Sequence, residues 1–302
     1  MPELPDIELY LHALRSRVLG ETLERVRVAR PFLLRSVTPP LDATFGRSVT
    51  GLSRLGKRIV FHLDEDHYLV IHLMIAGRFR WKDRGVSISP KTGLAQFEFS
   101  SGTVVLTEAG KKRRASLYVV RGTESLAQHD PGGIEVLLCS VKEFSKRLVL
   151  ENHTLKRALC DPTLFSGIGN AYSDEILHAA QISPFKLTRD LCDAEVKALF
   201  AAVAETLSVW VDRLQQEVGD QFPAKVTAFR PEMAVHGKYG QPCPVCGSTV
   251  QRVVYAQNET NYCPTCQTGG RLLRDRALSR LLRSDWPRTP EELEERRRAD
   301  GT

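Results

Sequence analysis

The feature of the sequence that most constrains the fold is a pair of Cys-x-x-Cys motifs near the C-terminal end. Cys243 and Cys246 form the first motif, Cys263 and Cys266 form the second, and sixteen residues separate them. This spacing is typical of a zinc finger in which four thiolates surround one Zn²⁺ and the intervening residues form a β-hairpin. Because every ligand position is a thiolate and none is open to substrate, we expect the zinc to be structural. The alternative is four buried cysteines that hold no metal.

The remaining cysteines and the absence of long apolar runs indicate the compartment. The chain has 7 cysteines, an odd number, and Cys139, Cys160 and Cys192 lie on scattered apolar stretches, where we expect core positions. No run of 18 apolar residues occurs, which excludes a transmembrane helix, and the acidic N-terminus lacks a signal-peptide pattern. We therefore expect a cytoplasmic protein. Lys and Arg outnumber Asp and Glu by 42 to 36, which is consistent with a polyanionic partner.

The hydrophobic pattern predicts an α+β multidomain chain. Apolar residues recur at helical spacing over residues 3–18, short strands typical of a β-sandwich or barrel follow over 22–120, and helical spacing dominates beyond residue 132. The clearest helix covers residues 193–218 and ends at Gly219. The predicted parts are an N-terminal helix plus antiparallel β-sandwich (1–131), a helical domain (132–234), a β-hairpin zinc finger (235–272) and a basic C-terminal extension (273–302).

Two local patterns are compatible with phosphate binding. Gly167-Ile168-Gly169-Asn170 lies between two helical stretches, where backbone N–H groups at a helix start can hold a phosphate, although Asn170 can equally act as an N-cap. Lys156 offers a second phosphate contact or a solvated charge on a helix. The basic run at residues 111–114 either neutralises phosphates or forms a solvated loop.

The first eight residues, Met1-Pro2-Glu3-Leu4-Pro5-Asp6-Ile7-Glu8, resemble the start of the formamidopyrimidine-DNA glycosylase/endonuclease VIII family of base-excision repair enzymes. Further segments similar to the family follow in the family's order at residues 55–58 (LGKR), 71–73 (IHL), 166–172 (SGIGNAY) and 235–243 (VHGKYGQPC). The resemblance spans about residues 2–266, and Leu4 favours the formamidopyrimidine branch. It implies that the helical domain is a helix-two-turns-helix domain. It also implies a monomer that binds damaged DNA, associates with the nucleoid when bound to it, and has no membrane partner.

The resemblance implies a covalent mechanism at the N-terminus. Removal of Met1 would expose the secondary amine of Pro2, which attacks the sugar C1′ of a damaged nucleotide and forms an iminium. Glu3 would transfer protons, and Lys57 would contact the phosphate and assist β-elimination. Without the resemblance, Pro2 is an ordinary first helical residue, Glu3 complements the helix dipole and Lys57 is a surface charge.

The residues that the family places against DNA are only partly retained. The resemblance implies DNA contacts for six residues in all: His72, Ile75, Lys112, Lys156, Asn170 and Asn258. Ile75 stands where the family has a methionine wedge, Lys112 replaces an arginine, and no phenylalanine wedge follows it. Asp6 replaces the family's second glutamate.

The finger and the C-terminal extension also depart from the family pattern. Asn258 stands where the family has an arginine that holds phosphates around the flipped nucleotide, and an amide supplies neither that charge nor its bidentate reach. Either Arg252, Arg271 or another cation compensates, or δ-elimination is impaired. Arginines and leucines over residues 271–283 predict a basic amphipathic helix that packs on the body or adds DNA contacts.

The sequence therefore predicts a bifunctional DNA glycosylase/abasic-site lyase that acts on oxidised or ring-opened bases. One alternative is an abasic-site lyase with little base excision. Another is a non-catalytic protein that binds DNA lesions on the same scaffold, although binding alone requires neither Pro2 nor Glu3. A further alternative, based on composition alone, is a generic zinc-ribbon protein that binds nucleic acid.

Overall fold

The computed structural model describes residues 1–110, 112–255, 258–274 and 287–299. The chain forms two compact units, of which the first comprises Met1–Gly133 and Ser208–Ala228. The second comprises Ile134–Leu207 and Phe229–Thr302. The return of residues 208–228 to the first unit has no counterpart in the hydrophobic pattern. The finer division into four parts stays a prediction.

The first unit begins with helix α1 (Leu4–Val18), which confirms the helix predicted over residues 3–18. The apolar stripe of Leu4, Ile7 and Leu14 is fully buried. At the start of α1, the backbone N–H of Glu3 donates to the Asp6 carboxylate at 3.0 Å, while the Glu3 side chain accepts from the Asp6 backbone. This reciprocal capping box satisfies two N–H groups that would otherwise have no partner in a buried helix end.

An eight-stranded antiparallel sheet forms the rest of the first unit, together with the short helix α2 (Thr123–Ala127). Its strands are β1 (Thr22–Val28), β2 (Arg47–Leu55), β3 (Arg58–Leu63), β4 (His67–His72), β5 (Gly77–Lys82), β6 (Gly93–Phe99), β7 (Gly102–Glu108) and β8 (Ser116–Arg121). Their order is β5-β7-β6-β1-β2-β3-β4-β8. Strands β6 and β7 form a hairpin across residues 100–101.

Two aromatic rings show that the sheet folds over itself. Strands β6 and β3 are separated by two strands, so a flat sheet would place them about 14 Å apart. Phe61 of β3 and Phe97 of β6 nevertheless stack, with ring centroids 6.1 Å apart. The two halves of the sheet therefore pack face to face around a buried aromatic core, as predicted for a β-sandwich.

The second unit is helical. Its helices are α3 (Val141–Leu148), α4 (Leu155–Cys160), α5 (Asn170–Ala179) and most of α6 (Asp193–Val218), whose last residues belong to the first unit. Phe144 packs its ring against Phe165 and Phe200, with centroids 4.8 and 5.4 Å away. Helix α6 has the predicted bounds and is followed by Gly219, whose positive φ of 53° suits a helix end.

The finger follows as a two-stranded hairpin of β9 (Gln251–Tyr255) and β10 (Asn258–Tyr262), then the short helix α7 (Pro264–Thr268). The amphipathic helix predicted over residues 271–283 is not found in its first part, because residues 271–274 have no regular secondary structure. Residues 275–283 lie outside the described residues. A helix that was not predicted, α8 (Pro290–Ala299), forms near the end. Among the described residues, no helix is both long and apolar enough to cross a membrane.

Candidate active site and metal centre

The N-terminus is packed into the first unit. Pro2 is buried, and the side chain of Glu3 is held within the start of α1 with only 2 % of the residue exposed. Asp6 is completely buried and fixes Glu3 through its backbone N–H. The capping box with Asp6 therefore positions the Glu3 carboxylate beside the N-terminus. An aspartate side chain, one methylene shorter than glutamate, is long enough to form it.

The α-amino group at the N-terminus lies among four charged side chains. Burial lowers the pKa of the Met1 amine below its ordinary value of 8.0, because the protonated form is poorly solvated. The charge of Glu3 opposes this effect, whereas the charges of Arg78 and Lys57 add to it. The charges of Glu3 and Lys57 thus act on the N-terminal amine, and burial shifts that amine towards its unprotonated form.

Lys57 lies in the tight turn between β2 and β3. The preceding Gly56 has a φ of 59°, a conformation that side-chain-bearing residues rarely adopt, and its carbonyl accepts a hydrogen bond from Arg54 at 2.9 Å. Lys57 is partly exposed. The turn therefore presents the lysine ammonium to solvent beside the N-terminal group.

His72 and Ile75 lie at the turn that follows β4. The Nδ1 atom of His72 accepts a hydrogen bond from the Met74 backbone N–H at 2.9 Å, and burial lowers the pKa of the imidazole to about 4. Met74 has a φ of 53°, and a Cβ on Gly77 would lie 2.2 Å from the Leu73 carbonyl oxygen. This constrained turn leaves Ile75 62 % exposed. A neutral His72 therefore supports the turn from inside, while Ile75 projects into solvent.

Arg78 is a residue of this site that sequence reasoning missed. Its guanidinium donates to the carbonyls of Ile75 and Gly77 at 3.1 and 2.6 Å, and its charge acts on the N-terminal amine. The only signal in the sequence is an arginine shortly after the His72 segment. Strand positions of this kind usually carry solvated charges, so that signal is weak.

Lys112 is exposed in the loop between β7 and β8. The neighbouring Lys111 lies outside the described residues. The loop is held by the buried Glu108, whose carboxylate accepts from the backbone N–H groups of Arg114 and Ala115 at 3.0 and 3.1 Å. Lys112 is therefore exposed to solvent on a loop that Glu108 supports.

Lys156, in the second unit, is engaged within the protein. Its ammonium lies 2.5 Å from the Asp174 carboxylate and 2.6 Å from the Asn170 carbonyl oxygen, and only 7 % of the residue is exposed. The other oxygen of Asp174 contacts His236 at 2.8 Å and Asn261 at 3.3 Å. Asp174 and His236 join the helices to the finger through a buried network that the sequence did not indicate.

The N-terminus of α5 is linked to the finger hairpin. The N-cap of α5 is Gly169, so the N-cap alternative for Asn170 is wrong. The Asn170 amide instead donates to the Glu259 carbonyl on β10 at 3.0 Å. Asn170 and the hairpin therefore lie side by side within the second unit.

Asn258 is exposed at the start of β10. Arg252, one of the cations considered as its substitute, is paired with Glu259 at 3.3 Å and lies 4.3 Å from the centre of the Tyr239 ring. Arg271 is exposed just after α7. Arg252 is thus engaged by Glu259 and Tyr239, whereas the structure shows Arg271 only as an exposed residue.

The four cysteines form a cluster that fits a structural zinc ion. Their sulfur atoms lie within 4.8 Å of one another. Cys243 and Cys266 have sulfurs 3.9 Å apart, and those of Cys246 and Cys263 are 3.3 Å apart. A tetrahedral ion with Zn–S distances of about 2.3 Å requires sulfur separations of about 3.8 Å. The cluster is therefore the site of one structural Zn²⁺, and all four predicted ligands take part.

A histidine from the helices supports the metal site. The Nε2 atom of His178, on α5, lies 3.3 Å from the Cys243 sulfur, and both residues are buried. Once Cys243 is a zinc thiolate, the imidazole N–H donates to it. No local pattern indicates this contact, because His178 lies 65 residues before Cys243.

Three family models match successive parts of the chain. The N-terminal domain of formamidopyrimidine-DNA glycosylase matches residues 1–115, and the H2TH domain of the same enzyme matches residues 137–221. A zinc finger found in FPG and IleRS matches residues 240–269.

Relatives and solved structures are similar over half of the chain or more. The formamidopyrimidine-DNA glycosylase of Thermus thermophilus is 31 % identical over 279 residues, which cover 89 % of this chain and 100 % of that protein. An uncharacterised formamidopyrimidine-DNA glycosylase-like protein of Mycobacterium tuberculosis is 42 % identical over 151 residues, or 50 % of this chain and 94 % of that protein. The fold matches that of the Lactococcus lactis glycosylase non-covalently bound to DNA containing an abasic site, with a TM-score of 0.76, 24 % identity, and coverage of 88 % of this chain and 99 % of that one.

Proposed function

Because the chain belongs to the formamidopyrimidine-DNA glycosylase family, we propose that it is a bifunctional DNA glycosylase and abasic-site lyase of base-excision repair. Its substrates are oxidised or ring-opened bases in DNA. The observation that carries this proposal is the packing of Pro2 and Glu3 into the first unit, where the charges of Glu3 and Lys57 act on an N-terminal amine whose pKa is lowered by burial.

The first step requires removal of Met1, which makes Pro2 the nucleophile. The nitrogen lone pair of Pro2 forms a bond to C1′ of the damaged nucleotide, and the C1′–N glycosidic bond breaks with its electron pair going to the base, which takes up a proton. Protonation of the sugar ring oxygen by Glu3 and loss of the proton on the Pro2 nitrogen then open the ring to an iminium. A low amine pKa favours the first bond, because only the unprotonated amine has a free lone pair.

The second stage cleaves the DNA strand. Loss of a proton from C2′ of the iminium breaks the C3′–O bond, and the 3′ phosphate leaves in β-elimination. Lys57 supports this step as a cation for the departing phosphate, since it is partly exposed beside the N-terminus. Water then releases Pro2 by hydrolysis of the iminium.

Borohydride trapping on labelled oligonucleotides tests this function. Reduction of the iminium by borohydride links protein and DNA covalently, and the oligonucleotides carry 8-oxoguanine, formamidopyrimidine, thymine glycol or an abasic site. We expect adducts on at least one base lesion, and loss of those adducts in Pro2→Gly. Failure to trap any substrate, with Met1 removed and zinc bound, would exclude the enzyme and leave a DNA-lesion-binding protein.

A lyase with little base excision is the second candidate function. It is favoured by the exposed Ile75 and Asn258, which stand where the family has a wedge methionine and a phosphate-binding arginine. Adducts on abasic sites alone would support this candidate in place of the first.

A further inference from the structure

Within the first unit, the segment after α6, residues 220–226, is fastened to α1 and β5 by three arginines. The carbonyl of Asp220 accepts from Arg17 at 2.5 Å. The carbonyl of Ala224 accepts from Arg80, and that of Val226 accepts from Arg78 at 2.6 Å. These are backbone contacts, so they fix the path of the chain independently of the side chains at positions 220, 224 and 226.

The arginine contacts follow an antiparallel register. Arg78 and Arg80 lie two residues apart on β5 and reach the carbonyls of Val226 and Ala224, also two residues apart but in the opposite order. Alternate residues of a strand point to the same face, so both arginines extend from one face of β5. Residues 224–226 therefore run along that face, attached through guanidinium groups.

Apolar contacts reinforce the attachment. The ring of Phe222 lies 6.1 Å from that of Tyr10 on α1, and the Arg17 guanidinium lies 5.6 Å from the Phe222 ring centre. Val226 is only 4 % exposed. Lys225, by contrast, is exposed between the two attached residues.

Arg78 connects this segment to the candidate active site. One guanidinium contacts the carbonyls of Val226, Ile75 and Gly77, so the 220–226 segment meets the turn that carries Ile75. The charged groups that act on the N-terminal amine are Glu3, Asp6, Lys57 and the same Arg78. A planar group with five donors suits such a junction, and a lysine offers no equivalent fork.

We propose that Arg78 is a positioning residue of the reaction, which holds residues 220–226 as a fixed wall beside the nucleophile and places a positive charge next to the amine. This inference rests on the proposed function. The charge adds to the effect of burial in lowering the pKa of the N-terminal amine, while the hydrogen bonds fix the wall and the turn. Arg78 touches carbonyl groups of the protein and acts through the amine and the wall, not on the substrate itself.

Four variants separate the two roles. Arg78→Gln removes both the positive charge and the guanidinium hydrogen bonds. Arg78→Lys keeps the charge but removes those hydrogen bonds. Arg80→Gln removes only a hydrogen bond to the wall. Arg84→Gln is the matched control, because Arg84 is an exposed arginine paired with Glu24 at 2.7 Å. Two readouts are needed: the pH profile of the single-turnover trapping rate on an abasic site, and the rate of tryptic cleavage after Lys225.

We expect Arg78→Gln to raise the pH at half-maximal trapping by roughly half to one unit, because loss of a nearby cation raises the amine pKa. Cleavage after Lys225 should accelerate about fivefold or more, since proteolysis follows local opening. Arg78→Lys should keep the wild-type pH profile with faster cleavage, and Arg80→Gln should change cleavage alone. Arg84→Gln should change neither readout.

The proposal is overturned if Arg78→Gln retains both the wild-type pH midpoint and the wild-type cleavage rate. An equal shift of the pH at half-maximal trapping in Arg78→Gln and Arg78→Lys would also overturn it. The positive charge at position 78 would then have no effect on the pKa of the amine. Zinc content and circular dichroism verify folding, and Arg78→Lys preserves the test if the glutamine variant does not fold. If wild-type protein traps no DNA, the proposed function fails, whereas the tryptic readout still tests the wall.

Discussion

The ammonium of Lys156 lies 2.5 Å from the carboxylate of Asp174, and both side chains are almost completely buried. Lys156→Ala would leave the buried Asp174 carboxylate without its cation, and its remaining partners would be the His236 imidazole and the Asn261 amide. We expect the variant to lose about 3 kcal/mol of unfolding free energy, measured by urea denaturation. Lys142→Ala, at an exposed position of α3, is the control. Lys156→Ala could instead match that control in stability and reduce the slope of log K against log salt concentration for DNA binding by about one unit. A direct phosphate contact would then be the main role of Lys156.

The cap of α1 gives a second prediction. Asp6→Ala removes the acceptor of the buried Glu3 N–H and should destabilise the protein by about 2 kcal/mol. It should also reduce borohydride trapping, because Glu3 loses its support. Asp6→Asn keeps an acceptor and should lose less than half as much stability. Equal urea midpoints for the alanine variant and the wild type would contradict the role of the cap.

The half-buried His72 predicts a dependence of stability on pH. Burial lowers its pKa from 6.5 to about 4, so the unfolded chain binds a proton between these values while the folded chain does not. The contribution of His72 is therefore complete above pH 6.5 and is lost as the pH falls towards 4. Between pH 7.5 and pH 5 we expect it to decrease by about 2 kcal/mol. Urea midpoints at the two pH values should differ less in His72→Gln than in the wild type, and His12→Gln, at an exposed position, should behave as the wild type does.

The contact between His178 and Cys243 predicts an effect on metal retention. His178→Phe removes the N–H donor to the thiolate and should accelerate zinc release to a chromogenic chelator about tenfold. His178→Gln retains a donor and should lie closer to the wild type. The absorbance of the chelator complex provides the measurement, and identical release rates in all three proteins would show that the hydrogen bond does not hold the ligand.

The exposed Asn258 predicts a gain of function. Asn258→Arg places a cation on the finger hairpin and should tighten binding to abasic-site DNA. The slope of log K against log salt concentration should become steeper by about one unit. Val254→Arg adds the same charge elsewhere on the hairpin, where Val254 is 43 % exposed. Fluorescence anisotropy at several salt concentrations distinguishes them. An equal gain in both variants would indicate a general charge effect and no particular phosphate site at position 258.

Much of the fold was predictable because local patterns specify it. The spacing of Leu4, Ile7 and Leu14 fixed one helical face, and the long helix up to Val218 has a continuous apolar stripe with a glycine after it. The cysteine spacing predicted the metal site, since two short knuckles suffice to bring four thiolates together. The helix predicted at the start of the C-terminal extension was wrong for residues 271–274. There, leucine and arginine spacing indicated a helix, but residues 271–274 pack instead through backbone contacts, including one from Leu273 to the Tyr262 hydroxyl at 2.8 Å.

The sequence by itself determined helices α1 and α6, the run of short strands, the zinc ligands and the family, because each depends on the period or spacing of residues close in the chain. Only the tertiary structure decided what surrounds the functional groups. Arg78 reaches Val226, 148 residues away, and Asp174 reaches His236, 62 residues away. No local pattern encodes such contacts, since they arise when buried charges and backbone carbonyls from distant segments must satisfy one another. The electrostatics of the N-terminal amine depends on the same long-range packing.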